Sequence, residues 1–221
     1  STAFILTKIA NALSDKFDVN VICGPESYCR AALEDNPSTK LSLDGRIKIH
    51  RVSNCNLNKD KIFTRLLRFL IIGFKLSFSL WKNAKKQDRV FIVTNPAPLL
   101  ISVALIKRIK KFPLYILVHD VFPENTIPAG VISSDKTFGY KLLRKCFNWA
   151  YKSADCLIVL GRDMRQIMKS KLEKNQNNTK IEIIENWAEN DITQLNPVNK
   201  SKNIVIQYAG NIGRVQGLKS F

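Results

Sequence analysis

The sequence predicts an α/β fold, a parallel sheet with helices on both faces, and three observations carry that prediction. Short apolar runs alternate with longer helical patterns along almost the whole chain. The runs "RVFIVT", "LYILVHD" and "DCLIVLG" are apolar on both faces, as strands buried between two helical layers must be. Apolar residues make up 45% of the 221, enough to fill such a core.

The elements follow in order. Ser1 and Thr2 are good helix caps, and Ile5, Leu6, Ile9, Ala10 and Leu13 mark one apolar helical face. "DVNVICGPE" reads as a short strand closing on a Gly-Pro turn, and "RIKIHRV" as another. Residues 59–86 read as a long helix, followed by the strand "RVFIVT", the loop "NPAP" and a helix over 99–110. The strand "LYILVHD" comes next, then a helix over 138–152, the strand "DCLIVLG", a helix over 163–172 and the strand "KIEIIENW". The polar stretch "NDITQLNPVNKSKN" has the composition of a linker. Beyond it, "IVIQYAGNIGRVQGLKSF" reads as a strand, a glycine-rich turn and the first residues of a helix. The expected organisation is one domain over residues 1–196 and the opening of a second over 197–221. No strand precedes the first helix, so the first domain is expected to lack its opening strand.

The formal net charge of +17 favours anionic partners: acidic lipid headgroups, phosphate-bearing substrates or nucleic acid. Nucleic acid is not expected, because no reader motif is present and the aromatics cluster with aliphatics rather than on an exposed platform. The five cysteines, Cys23, Cys29, Cys55, Cys146 and Cys156, contain no CxxC pair. That scatter points to neither a disulfide framework nor a metal site and agrees with a reducing cytoplasm. The first thirteen residues lack the basic start and uninterrupted apolar run of a signal peptide.

Parallel sheets bind ligands beyond the carboxyl ends of their strands. His119 and Asp120 fall there, as do Thr94-Asn95 and Gly161-Arg162. Asp120 and Glu124 are carboxylates able to accept hydrogen bonds from ligand hydroxyls. Pro123-Glu124 has the form of a helix start, with proline first and a carboxylate at the positive dipole end, so Glu124 is assigned a structural role. Within 59–86, Lys61, Arg65, Arg68, Lys75 and Lys82 form a basic stripe, while Phe63, Leu70, Phe74, Phe78 and Trp81 are among the apolar remainder. Two readings stay open. The helix lies on an anionic bilayer, with Arg65, Arg68, Lys75 and Trp81 in contact, or it covers the sheet and its basic face is merely solvated. The distributed charges argue against a transmembrane span.

Six segments in order, "STAFILTKIANALS", "VTNPAPLL", "HDVFPE", "SADCLIVLGRDMRQIM", "IIENW" and "YAGNIGRVQGL", give the chain a family likeness. It resembles the N-terminal part of family 4 glycosyltransferases, retaining enzymes of two Rossmann-like domains (GT-B) found in bacterial capsule, O-antigen and exopolysaccharide assembly. The resemblance implies transfer of a sugar from a nucleotide-sugar donor to a glycan or polyprenyl-linked acceptor. It implies a cytoplasmic protein, peripheral on the inner face of the membrane, with no metal or other cofactor. His119 matches the family's histidine near the transferred sugar, and with Asp120 it forms the expected catalytic pair. Gly210, Asn211, Gly213, Arg214, Gln216 and Gly217 would face the donor phosphates, where glycines permit close backbone approach and Arg214 offers a bidentate donor. Asn211 and Gln216 stand where the family carries Arg and Lys. The family's first strand would lie before Ser1, and most of its donor-binding domain after Phe221. The alternative expectation is a non-catalytic, acceptor-binding or membrane-docking unit that needs a separate donor-binding partner.

Overall fold

A computed structural model describes residues 2–25, 42–53, 62–172 and 179–187. The expectations for residues 197–221, and so for Gly210 to Gly217, lie outside the described residues. Helix α1 (Thr2–Ser14) leads to β1 (Asn20–Cys23) and β2 (Lys48–Arg51), and then to the long helix α2 (Ile62–Asn83). The strands β3 (Val90–Val93), β4 (Leu114–Val118), β5 (Cys156–Val159) and β6 (Lys180–Ile183) alternate with α3 (Pro98–Lys110), α4 (Phe138–Lys152) and α5 (Arg162–Leu172). All neighbouring strands pair in parallel, β1 with β2 and then β3-β4-β5-β6 in chain order.

The expected α/β fold is present: a parallel sheet with flanking helices. The strands nevertheless form two hydrogen-bonded sheets, because among the described residues no strand joins β1 to β3. Helix α2 packs against both β1 and α3, and so bridges the two groups.

Burial explains why the central strands are there. Leu114, Ile116 and Val118 alternate along β4 and are fully buried, in one cluster with Val90, Ile92, Leu157 and Val159 of the neighbouring strands. Leu100 and Val103 of α3, Ala150 and Tyr151 of α4, and Met168 of α5 close over that face. Side chains of alternate parity, such as Phe91, Tyr115 and Ile158, are half-buried, so the second face is less completely covered.

Local chemistry sets the helix ends. Thr137 caps α4, its hydroxyl accepting from the backbone N–H of Tyr140 at 3.3 Å. Lys111 ends α3 in the left-handed region, φ 61°, with its N–H returned to the carbonyl of Lys107. The ammonium of Lys110 donates to the carbonyls of Trp81 and Ala84, supplying partners that the last turn of α2 otherwise lacks. Pro123-Glu124 does not open a long helix as its pattern implied. One 3₁₀ turn, Glu124–Thr126, follows, and α4 starts only at Phe138.

Candidate active site

The carboxyl ends of β3 and β4 meet at one buried hydroxyl. Thr94 is fully buried, and its Oγ1 accepts from the backbone N–H of His119 at 3.1 Å and of Asp120 at 2.9 Å. The backbone leaves β4 at Val118, and this pair of bonds fixes the direction in which the next two side chains depart. Thr94 is the lone polar residue closing the run "RVFIVT", and that is the only mark it leaves in the sequence.

His119 is half-buried at this edge. Its Nδ1 lies 3.5 Å from the hydroxyl of Thr2 at the start of α1. Its Nε2 is shielded from solvent and has no hydrogen-bond partner among the described residues. Buried polar atoms are seldom left so, because an unmade hydrogen bond costs about 1–3 kcal/mol. Burial pushes the imidazole pKa below its usual value, against the opposing pull of the Asp120 charge. The ring is therefore biased toward the neutral form, with one nitrogen able to donate and the other to accept.

Asp120 accepts a 2.9 Å hydrogen bond from the side-chain amide of Asn125, which steers its carboxylate. Glu124 faces away from this edge. Both of its oxygens bond to Lys171 Nζ, at 2.6 and 2.8 Å, so it holds the loop and has no part in the polar rim. The same ammonium reaches the carbonyl of Phe122 and Oδ1 of Asn148. The hydroxyl of Tyr151 accepts from the N–H of Phe122 at 3.2 Å, and burial raises that phenol's pKa. Sequence reasoning missed Lys171, Tyr151 and Asn148, which sit on helices far along the chain and match no motif.

Asn95, after β3, and Arg162, at the first position of α5, are exposed at the same strand ends. Glu185, Asn186 and Trp187 follow β6 and are exposed as well. The chain thus gathers an imidazole, a carboxylate, amides and a guanidinium along one rim of the sheet. Among the described residues, no group of three or more His, Cys, Asp or Glu side chains is placed to hold a metal ion. Two cavities lie elsewhere. One of about 410 Å³ is lined by Pro113 and Asp155, which precede β4 and β5, and so opens at the amino ends of the strands. The other, of about 270 Å³, lies between α2 and α3.

Of the expected membrane contacts, Trp81 is exposed on α2, and Lys75 donates to the hydroxyl and carbonyl of Ser53, at 2.7 and 3.2 Å. Arg68 lies on the same helix, as does Arg65, whose side chain is outside the described set.

The fold is a Rossmann-like α/β domain of the kind that forms the N-terminal half of GT-B glycosyltransferases. The sequence matches the profile of Glycosyltransferase Family 4 over residues 5–191, and the chain belongs to that family. It is 39% identical over 173 residues to "Probable glycosyltransferase WbjE" of Pseudomonas aeruginosa, a match covering 74% of this chain and 42% of that protein. The chain therefore spans about two fifths of the length of this curated relative. Among solved structures, LpCGTa in complex with UDP aligns with a TM-score of 0.49 at 12% identity, over 85% of this chain and 52% of that one.

Proposed function

We propose that the chain is the acceptor-side domain of a retaining glycosyltransferase. The enzyme moves a sugar from a nucleotide-sugar donor to a glycan or polyprenyl-linked acceptor in cell-surface polysaccharide synthesis. Membership of Glycosyltransferase Family 4 supports the reaction class. The carrying observation is His119: a half-buried imidazole beyond a central parallel strand, with Nε2 unpartnered and the backbone held by Thr94.

Such a group suits sugar transfer for a physical reason. Departure of a nucleotide diphosphate is governed mainly by positioning and by stabilising developing charge, and fixed donors at a water-poor edge do both. A neutral His119 donates to a sugar hydroxyl or to an oxygen that gains charge, and it carries no hydration shell that must first be stripped. Asp120, oriented by Asn125, accepts from an acceptor hydroxyl. In this reading the protein works in the cytoplasm, at the inner face of the membrane.

The test is a donor screen on the full-length protein with a lipid-linked acceptor fraction, comparing wild type with His119→Ala. Transfer should fall at least about a hundredfold in the variant, the scale of losing one aligned donor, with the unfolding transition retained. Near-normal transfer by His119→Ala would remove His119 from the reaction. No transfer from any nucleotide-sugar by wild type would remove the reading as a whole.

A further inference from the structure

Helices α2 and α3 share an apolar face that none of the other described elements covers. Leu70, Phe74, Phe78 and Trp81 follow one another at steps of four, four and three residues along α2, and all are exposed, Phe74 at 70%. Leu105 and Ile109 extend the face onto α3, with Ile109 at 65%. The core side of α2 is a different one, carried by Leu76 and Leu80. The cavity of about 270 Å³ runs between the helices, beneath the aromatic row and beside the hydroxyls of Ser77 and Ser102. Single exposed apolar residues are ordinary on protein surfaces, but a contiguous stripe about 17 Å long is a contact surface.

Charge identifies the occupant. Neither α2 nor α3 contains an Asp or Glu, while together they carry Arg65, Arg68, Lys75, Lys82, Lys107, Arg108 and Lys110. Lys82 Nζ stands 4.7 Å from the centre of the Phe78 ring, and Lys110 Nζ stands 5.2 Å from the Trp81 ring. Cationic heads thus border the aromatic row. A second copy seated on the same face would set these basic borders against each other, with no acid on either helix to pair them. A bilayer containing acidic lipid meets both demands at once, taking the aromatics at the acyl boundary and the cations at the headgroups. No helix among the described residues is long and apolar enough to cross a membrane, so the contact is with its surface.

We infer that the α2–α3 face docks the protein on an anionic bilayer. Phe74, Phe78, Trp81 and Ile109 enter the interface, and two exposed cations at its margins, Lys82 four residues after Phe78 and Arg108 three residues after Leu105, meet the headgroups. This goes beyond sugar transfer and stands whether or not His119 acts in it. It also separates the two halves of the sequence pattern. The face that docks is the aromatic row shared with α3, whereas the Lys75 ammonium is bonded to Ser53.

The experiment is co-sedimentation of the full-length protein with vesicles of phosphatidylcholine alone and of phosphatidylcholine mixed with phosphatidylglycerol. Wild type should sediment with the mixed vesicles and stay largely in solution with the neutral ones. Phe74→Ser with Phe78→Ser, and separately Lys82→Glu with Arg108→Glu, should each weaken binding at least about tenfold. All four positions are exposed, so unfolding transitions without lipid should be unchanged, and the charge pair reports even if the serine pair folds poorly. Absence of wild-type binding to mixed vesicles overturns the inference, as does binding that neither pair of substitutions weakens. A dimer that dissociates on Phe74→Ser, with no lipid binding, assigns the face to a second copy instead.

Discussion

Lys171 Nζ lies 2.6 and 2.8 Å from the two carboxylate oxygens of Glu124, so the last turn of α5 holds the loop that leaves β4. The contact spans 47 residues of sequence and involves a lysine only 4% exposed. A buried ammonium is costly without partners, and here the carboxylate, the Phe122 carbonyl and the Asn148 amide oxygen supply them. The side chains offered by His119 and Asp120 are thereby fixed at two points, by Thr94 before the turn and by Lys171 after it.

Replacing Lys171 with Met should therefore destabilise the protein by about 2–3 kcal/mol, because the Glu124 carboxylate and the Phe122 carbonyl lose a shared donor. The figure sits below the range of about 3–5 kcal/mol for broken buried pairs, since Glu124 keeps 35% side-chain exposure. Glu124→Gln retains an acceptor and should cost less. If the two act through one contact, the double variant will lose less than the sum of the singles in urea unfolding. Strict additivity would show that the contact contributes nothing.

Thr94→Val keeps shape and removes the oxygen that serves the backbone N–H groups of His119 and Asp120. Two donors are left without their partner, for a loss of about 2 kcal/mol or more. Thr94→Ser should restore most of it. Transfer activity should fall further than stability accounts for, since the backbone that aims His119 is released. A stable but inactive Thr94→Val is the informative outcome; wild-type activity in it would mean the turn is held by other contacts.

The imidazole makes a prediction about pH. Burial lowers the folded-state pKa of His119 below the usual value near 6.5, so the unfolded chain binds a proton there more readily than the folded one. Its contribution to stability is thus complete above about pH 6.5 and is lost as pH falls through that value toward the folded pKa. His119→Gln should flatten the part of the stability profile that falls below about pH 6.5, measured by urea midpoints across the acid range. A profile identical to wild type would locate the acid sensitivity elsewhere.

How far the sequence reveals this architecture depends on the range of each interaction. Strands such as β4 are legible because apolar residues on both faces have a local signature, and His119-Asp120 is legible because a polar pair ends such a run. Glu124 shows where local reading stops. Its Pro-Glu pattern is that of a helix start, yet its partner is Lys171, and no nearby residue announces that pairing. The docking face was half visible. Phe74, Phe78 and Trp81 are periodic along α2, but only the packing of α3 brings Leu105 and Ile109 beside them. The split between the β1–β2 pair and the larger sheet has no local signal, because it depends on which strands find each other.

Gly73 supplies a last test, of the packing that joins the docking helix to the site. A Cβ there would lie 3.3 Å from Pro98 Cβ, 3.7 Å from the Leu99 backbone nitrogen and 3.9 Å from Pro96 Cγ. The glycine lets α2 approach the start of α3 and the loop after Thr94, and the Ser77–Ser102 contact of 2.5 Å lies one turn further along α2. Two effects oppose each other in Gly73→Ala: about 1 kcal/mol of gained helix propensity and a contact that forces Pro98 to give by a few tenths of an ångström. The change should come out near neutral. Gly73→Val adds two further carbons against the same rigid rings and should cost about 2 kcal/mol. It should also lower transfer, because the loop that α2 pushes aside carries Asn95 and leads from Thr94. Thermal unfolding and activity measured on both variants decide it, and a Val variant as stable and active as the Ala one would show that α2 and the site are not mechanically joined.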